Sequence, residues 1–83
     1  MKAIVHVGLK PRVLDPQGKA VADTLGRMGY GEVEAARIGK VIELELEDGL
    51  DASAAEARVK EMCEKLLANT VIESYRVELS DGT

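Results

Sequence analysis

Val59 to Leu79, VKEMCEKLLANTVIESYRVEL, is the stretch on which the fold turns. Apolar residues at Val59, Met62, Cys63, Leu66 and Leu67 recur at helical spacing, so this half is predicted to be the end of an amphipathic helix. Val71, Glu73, Tyr75, Val77 and Leu79 then alternate with Ile72, Ser74, Arg76 and Glu78, the period of a half-buried strand. Asn69 lies where the period changes and is predicted to close the helix. Met62, Cys63 and Leu66 are read as core, and Ile72 as showing to the other face of the sheet.

Upstream, Ala52 and Ala55 extend the apolar stripe, and Ser53 with Glu56 forms a capping box that starts the helix. Glu56 with Lys60 and Glu61 with Lys65 are favourable pairs one turn apart on the wet face. Asp48-Gly49 is a turn. Before it, EVEAARIGKVIELELE (residues 32 to 47) alternates throughout. A two-residue turn at Gly39-Lys40 makes it a hairpin, with Val33 facing Leu46 and Ala35 facing Leu44. The rival reading is one long strand bent at Gly39.

At the N-terminal end, Ala3, Val5, Val7 and Leu9 alternate with Ile4, His6, Gly8 and Lys10 as a first strand, which Pro11 stops for want of an N–H. Asp15-Pro16 is a helix start, an N-cap acid with proline at the first helical position. Val21, Leu25 and Met28 give that helix its stripe, and Gly29 ends it. Gly18 and Gly26 weaken it, and are expected to let it sit close to a neighbouring backbone.

The predicted fold is therefore a single α+β domain over residues 1–83, a two-layer sandwich in the order β-α-β(β)-α-β. Its sheet is mainly antiparallel, with two helices on one face. The other face is expected to carry Ile4, His6, Gly8, Ala36, Ile38, Val41 and Ile72. So apolar a face on a small domain predicts association through Ile4, His6, Ile38, Val41 and Ile72. Composition points the same way. Apolar residues make up 46% of the 83, yet Phe and Trp are absent and Tyr occurs twice, so a lone monomer is marginally stable.

A net charge of −4 lacks the basic field that nucleic acid and anionic membranes require, and neither partner is expected. The single Cys63 suits a reducing compartment, and no signal-peptide core precedes Pro11, so a cytoplasmic location is expected. His6 has no second histidine, cysteine or acid at ligand spacing. Cys63 lies on an apolar helical face without the cationic surroundings of a reactive thiol. Gly26, Gly29 and Gly31 follow a helix, whereas a nucleotide-binding glycine run follows a strand and opens a helix. Glu43, Glu45, Glu47 and Asp48 read better as a solvated face than as a cation site. No catalytic set and no cofactor site are predicted. Lys10, Pro11, Arg12, Asp15, Gln17, Arg37 and Lys40, basic or proline-fixed positions around the loop and the Gly39-Lys40 turn, are the candidate contacts to partner subunits.

LKPRVLDPQGKAV (Leu9 to Val21), Arg37-Ile38-Gly39-Lys40 leading into Ile42-Glu43-Leu44, and EMCEKLLANTVIESYRVEL (Glu61 to Leu79) together resemble the PurS family. Arg12 stands where that family usually has glycine, and Thr70 where it often has proline. The resemblance implies the small, non-catalytic subunit of phosphoribosylformylglycinamidine synthase in purine biosynthesis, present as a homodimer or homotetramer. It would bridge an ATP-dependent synthetase subunit and a glutaminase subunit and support ammonia transfer. A small regulatory domain of the ACT kind is the alternative reading. Arginine at position 12 is expected to resist the backbone conformation that a glycine there permits.

Overall fold

The computed structural model describes residues 1–80. β1 (Lys2–Leu9), α1 (Pro16–Arg27), β2 (Gly39–Glu45), α2 (Ala52–Met62) and β3 (Glu73–Ser80) follow one another in an α+β arrangement, and α2 continues through a wide π turn over Cys63–Leu67. The sheet has three strands in the order β2-β1-β3, both pairings antiparallel. β1 is central, and its alternate residues Ala3, Val5 and Val7 are buried between the two neighbours. Val5 pairs with Ile42 on one side and Val77 on the other, and all three are buried or packed against the core.

α2 covers this face. Val59 and Cys63 are buried against Ala3, Val5 and Val7, with Leu44, Leu46, Tyr75 and Leu79 closing the edges, and Ala55 is buried on the same helix. The helix is capped by Asp51, whose carboxylate accepts from the amides of Ser53 and Ala54, so the expected capping box at Ser53 is displaced two residues upstream. Asp51 sits in extended backbone, the conformation a cap needs, which leaves Ser53 inside the first turn. The π turn also changes which residues face inward. Ala68 N–H donates to Cys63 O at 3.0 Å, and the extra residue in the turn rotates Ala68 and Leu67 toward the sheet. Leu66, read as core, is 82% exposed, and Met62 lies at the margin.

Asn69 does not end the helix but builds the turn after it. Its side chain accepts from Val71 N–H, and its carbonyl accepts from Ile72 and Glu73. β3 therefore starts at Glu73, two residues later than the alternation of Val71 predicts, and Val71 is exposed. Thr70 occupies the second position of this turn, where proline is favoured, and its amide donates no hydrogen bond among the described residues. Thr70→Pro should stabilise the chain by about 0.4 to 1 kcal/mol through the unfolded state. Thermal denaturation checks this, and a lowered midpoint contradicts it.

Residues 33–38 are not a strand, and the hairpin is not formed. β2 instead takes β1 as its partner, Gly8 opposite Gly39 and Lys2 opposite Glu45. The exchange is favourable because Ile42 and Leu44 thereby meet Val5 and Ala3, where the hairpin offers them Arg37 and Ala35. A Cβ on Gly39 would lie 2.5 Å from Val7 O, so the chain enters the sheet only as glycine.

α1 begins as expected, with Asp15 as N-cap and Pro16 in its first turn. Its one buried residue is Gly18, a Cβ on which would lie 2.1 Å from Ala36 O. Nothing approaches Gly26 within 4 Å, so only the first of the two glycines serves a close approach. Val21 and Met28 remain exposed. α1 thus leans on the segment before β2, and the chain is long and thin, with extents of 51 × 30 × 14 Å.

Candidate functional site

Three chain segments meet at the end of the sheet where β1 stops. Pro11 ends the ladder, and the chain turns, Val13 N–H donating to Lys10 O. Lys10 N–H donates to Ile72 O at 2.8 Å and ties the loop to the start of β3. Arg37 spans to the same loop, its guanidinium donating to Lys10 O at 2.9 Å and to Leu9 O at 3.4 Å. Arg12 is tolerated in this loop because no residue other than glycine has positive φ among those described, so the position does not need glycine's freedom.

Asp15 joins the pieces. Only 5% exposed, its carboxylate accepts from Ile38 N–H at 2.7 Å and from Gly18 N–H at 2.8 Å, linking the segment before β2 to the first turn of α1. These two amides, Ile38 foremost, hold its pKa below the usual aspartate value. Of the seven predicted contact residues, Lys10, Pro11, Arg12, Gln17, Arg37 and Lys40 are exposed around this junction, and Asp15 is buried inside it. Asp15, Gln17, Ile38, Lys40 and Glu73 also border a cleft of about 450 Å³. Sequence reasoning overlooked Leu14, which is 71% exposed beside Asp15. Its signal is an isolated apolar residue in a loop otherwise held by polar and proline positions.

The outer face of the sheet is a second candidate. The register places Ile4, His6 and Val41 there together. Ile38 and Ile72 border the Lys10 loop instead, through the bonds just described. The face is less apolar than expected, since the same register adds Lys2, Glu43, Glu45, Arg76 and Glu78. Lys2 lies 3.9 Å from Glu43 and 3.8 Å from Glu45, which accounts for part of the acidic set. His6 Nε2 lies 3.4 Å from Glu78 Oε1 without hydrogen-bond alignment. Arg76 holds the Glu78 carboxyl below the usual glutamate range, with a smaller contribution from His6.

Neither candidate presents a nucleophile with a base. Cys63 is completely buried, and burial pushes its thiol up. Tyr75 donates to Glu64 at 2.6 Å, and that bond pushes its phenol up to about 12. The raised value means that this contact stabilises the fold below the ordinary tyrosine range and is lost as pH rises through about 12. Ultraviolet titration should show Tyr75 ionising near there, and Glu64→Gln should bring it back toward 10. An unchanged curve in the variant contradicts the bond.

The kinship of the chain bears on what this junction is for. A family model described as "PurS: Phosphoribosylformylglycinamidine (FGAM) synthase" matches residues 2–81. The chain belongs to the PurS family. It is 54% identical to the phosphoribosylformylglycinamidine synthase subunit PurS of Bacillus subtilis over 80 residues, covering 96% of this chain and 93% of that protein. A crystal structure of B. subtilis PurS superposes with a TM-score of 0.84, covering 96% and 98% of the two chains. A chain in the structure of PurLQS from Thermotoga maritima is 35% identical, with a TM-score of 0.83 and 93% of both chains covered. The PurS resemblance seen in the sequence is therefore the family, and the expected α+β fold is the family's.

Proposed function

We propose that the chain is the non-catalytic subunit of a phosphoribosylformylglycinamidine synthase complex in cytoplasmic purine biosynthesis. It bridges the ATP-dependent synthetase and glutaminase subunits and supports passage of ammonia between them. The observation that carries this reading is the match to the PurS subunit across residues 2–81, together with the likeness to a chain of a PurLQS structure. A bridging role asks for a rigid body with distinct surfaces, and the junction at Lys10, Pro11, Arg12, Gln17, Arg37 and Lys40 is the surface assigned to the unlike subunits. Asp15 holds that surface in shape from within.

The chain acts as a homodimer or homotetramer. Its radius of gyration is 16.3 Å, where a compact chain of this length measures about 12 Å. Leu14, Val21, Met28 and Tyr30 around α1 are exposed, so this part of the chain lacks a core of its own. Ile4, His6 and Val41 on the outer sheet face, with Ile38 and Ile72 at its margin, are assigned to contacts between copies.

The test is reconstitution. Synthetase and glutaminase subunits should make product from ATP and glutamine only when this chain is added. Synthesis of equal rate without it overturns the reading.

A further inference from the structure

We infer that the cleft between the first turn of α1 and the end of the sheet binds a free α-amino acid with an uncharged side chain. The cleft opens on the surface assigned above to the unlike subunits, but the inference stands apart from that role and is tested on the chain alone.

The cleft exists because α2 stops short of it. Val7 and Leu9 alternate onto the helix-bearing face of the sheet, yet only Val7 joins the core that α2 covers. Leu9 and Ile38 are neither in that core nor packed against it, and Ile38 is 39% exposed. With Pro16 they give an apolar lining to a space of about 450 Å³. Sites for small molecules measure about 300 to 1,000 Å³ and set a few polar groups on such a lining.

Three side chains supply the polar groups. Lys40 stands opposite Val7 on one side of β1 and Glu73 opposite Leu9 on the other, so both share the face of the apolar lining. Their Cα atoms are about 12 Å apart, two strand spacings across and two residues along. Neither forms an ion pair with a described residue. Glu73 Oε1 accepts from Asn69 N–H at 2.6 Å, which fixes the carboxylate and leaves Oε2 as the oxygen without a partner among the described residues. The Gln17 amide, in the first turn of α1, makes no side-chain hydrogen bond among them either. Asp15 also borders the cleft, but its two oxygens are taken by Gly18 N–H and Ile38 N–H.

That set selects the ligand. A simple cation meets the like charge of Lys40, and a simple anion meets that of Glu73. A molecule with an ammonium and a carboxylate on one carbon satisfies both, its carboxylate toward Lys40 Nζ and its ammonium toward Glu73 Oε2. The remainder lies on Leu9 and Ile38. A charged side chain would lose hydration there without a partner, whereas an apolar one gains by burial and a carboxamide can bond to Gln17.

Titration calorimetry of the full chain with L-leucine and with L-glutamine should show saturable binding of one molecule per chain. Isocaproate and isoamylamine, which are leucine without its ammonium and without its carboxylate, should bind at least about tenfold more weakly. Lys40→Met and Glu73→Gln should each weaken leucine at least about tenfold, and glutamine at position 73 keeps an oxygen to accept from Asn69. No saturable heat with either amino acid overturns the inference. Isocaproate or isoamylamine binding as tightly as leucine overturns recognition by both charges, and this comparison needs no variant. Binding that neither variant weakens overturns the cleft as the site. Reconstitution of synthesis is a separate measurement, so either reading can fail without the other.

Discussion

Gly18→Ala should destabilise the chain by about 2 kcal/mol, and Gly26→Ala, eight residues along the same helix, should stabilise it by about 0.5 to 1 kcal/mol. Alanine is the better helix former at both positions, so propensity alone predicts two gains. Packing reverses the first. A Cβ at position 18 would lie 2.1 Å from Ala36 O and 2.9 Å from Ala36 C, and these are main-chain atoms that no rotamer change can move. Relief requires α1 to lift off the segment before β2, which also draws Gly18 N–H and Ile38 N–H away from their shared acceptor, Asp15. At position 26 the new methyl meets nothing within 4 Å, and the propensity gain is kept. Chemical denaturation of the two variants checks the pair. A gain in both would mean that α1 does not sit against Ala36.

This contrast marks what the sequence can and cannot say. Strand β1, the Asp15-Pro16 start of α1, the apolar stripe of α2 and the alternation of β3 all follow from local period and capping chemistry, and they were legible. The close approach at Gly18 was legible, but not that Gly26 lacks one, because the oxygen that excludes the Gly18 Cβ belongs to a residue 18 positions away. The hairpin failed for a related reason. The alternation of residues 32 to 47 is real, but a period of two fixes only which side chains share a face, not which strand lies alongside. Val5 and Ala3 competed with Ala35 and Arg37 for Ile42 and Leu44 and won on buried area. Leu66 was misplaced by a π turn, which shifts the helical phase and has no signature in apolar spacing.

The site divides in the same way. Lys10, Pro11, Arg37 and Lys40 stand out in the sequence as basic or proline-fixed positions. What brings them together is the pair of bonds from Arg37 to main-chain carbonyls, contacts that leave no complementary side chain to detect. Asp15 was read as a cap and as a surface contact. The cap is there, but the same carboxylate also fastens Ile38, which buries it. A sequence shows one role of such a residue and conceals the second, since an amide acceptor can be recruited by any residue.

Arg37→Glu should lower glutamine-dependent synthesis by the reconstituted complex at least about tenfold, a loss near 1.4 kcal/mol, and leave synthesis from added ammonia intact. The guanidinium crosses from the segment before β2 to the Lys10 loop, one of its terminal nitrogens donating to two adjacent carbonyls, Leu9 O and Lys10 O. Glutamate has no donor to offer either oxygen and repels the nearby Asp15 carboxylate, whose lowered pKa owes part of its depression to Arg37. Arg37→Lys keeps the charge but not the fork, and should fall between the two. The distinction between glutamine and ammonia as donor separates a broken bridge from a broken synthetase: only the first spares the ammonia reaction. Asp15 supplies a pH signature for the same junction. Because its folded pKa is lowered, its contribution is complete above the ordinary aspartate range and is lost only as pH falls below about 4 and through the lowered value. Asp15→Asn should weaken the junction above the ordinary aspartate range, where the native carboxylate is ionised, and remove that acid-limb dependence from the unfolding curve. A variant that unfolds in acid with the same profile as the native chain would show that other carboxylates set the acid limb.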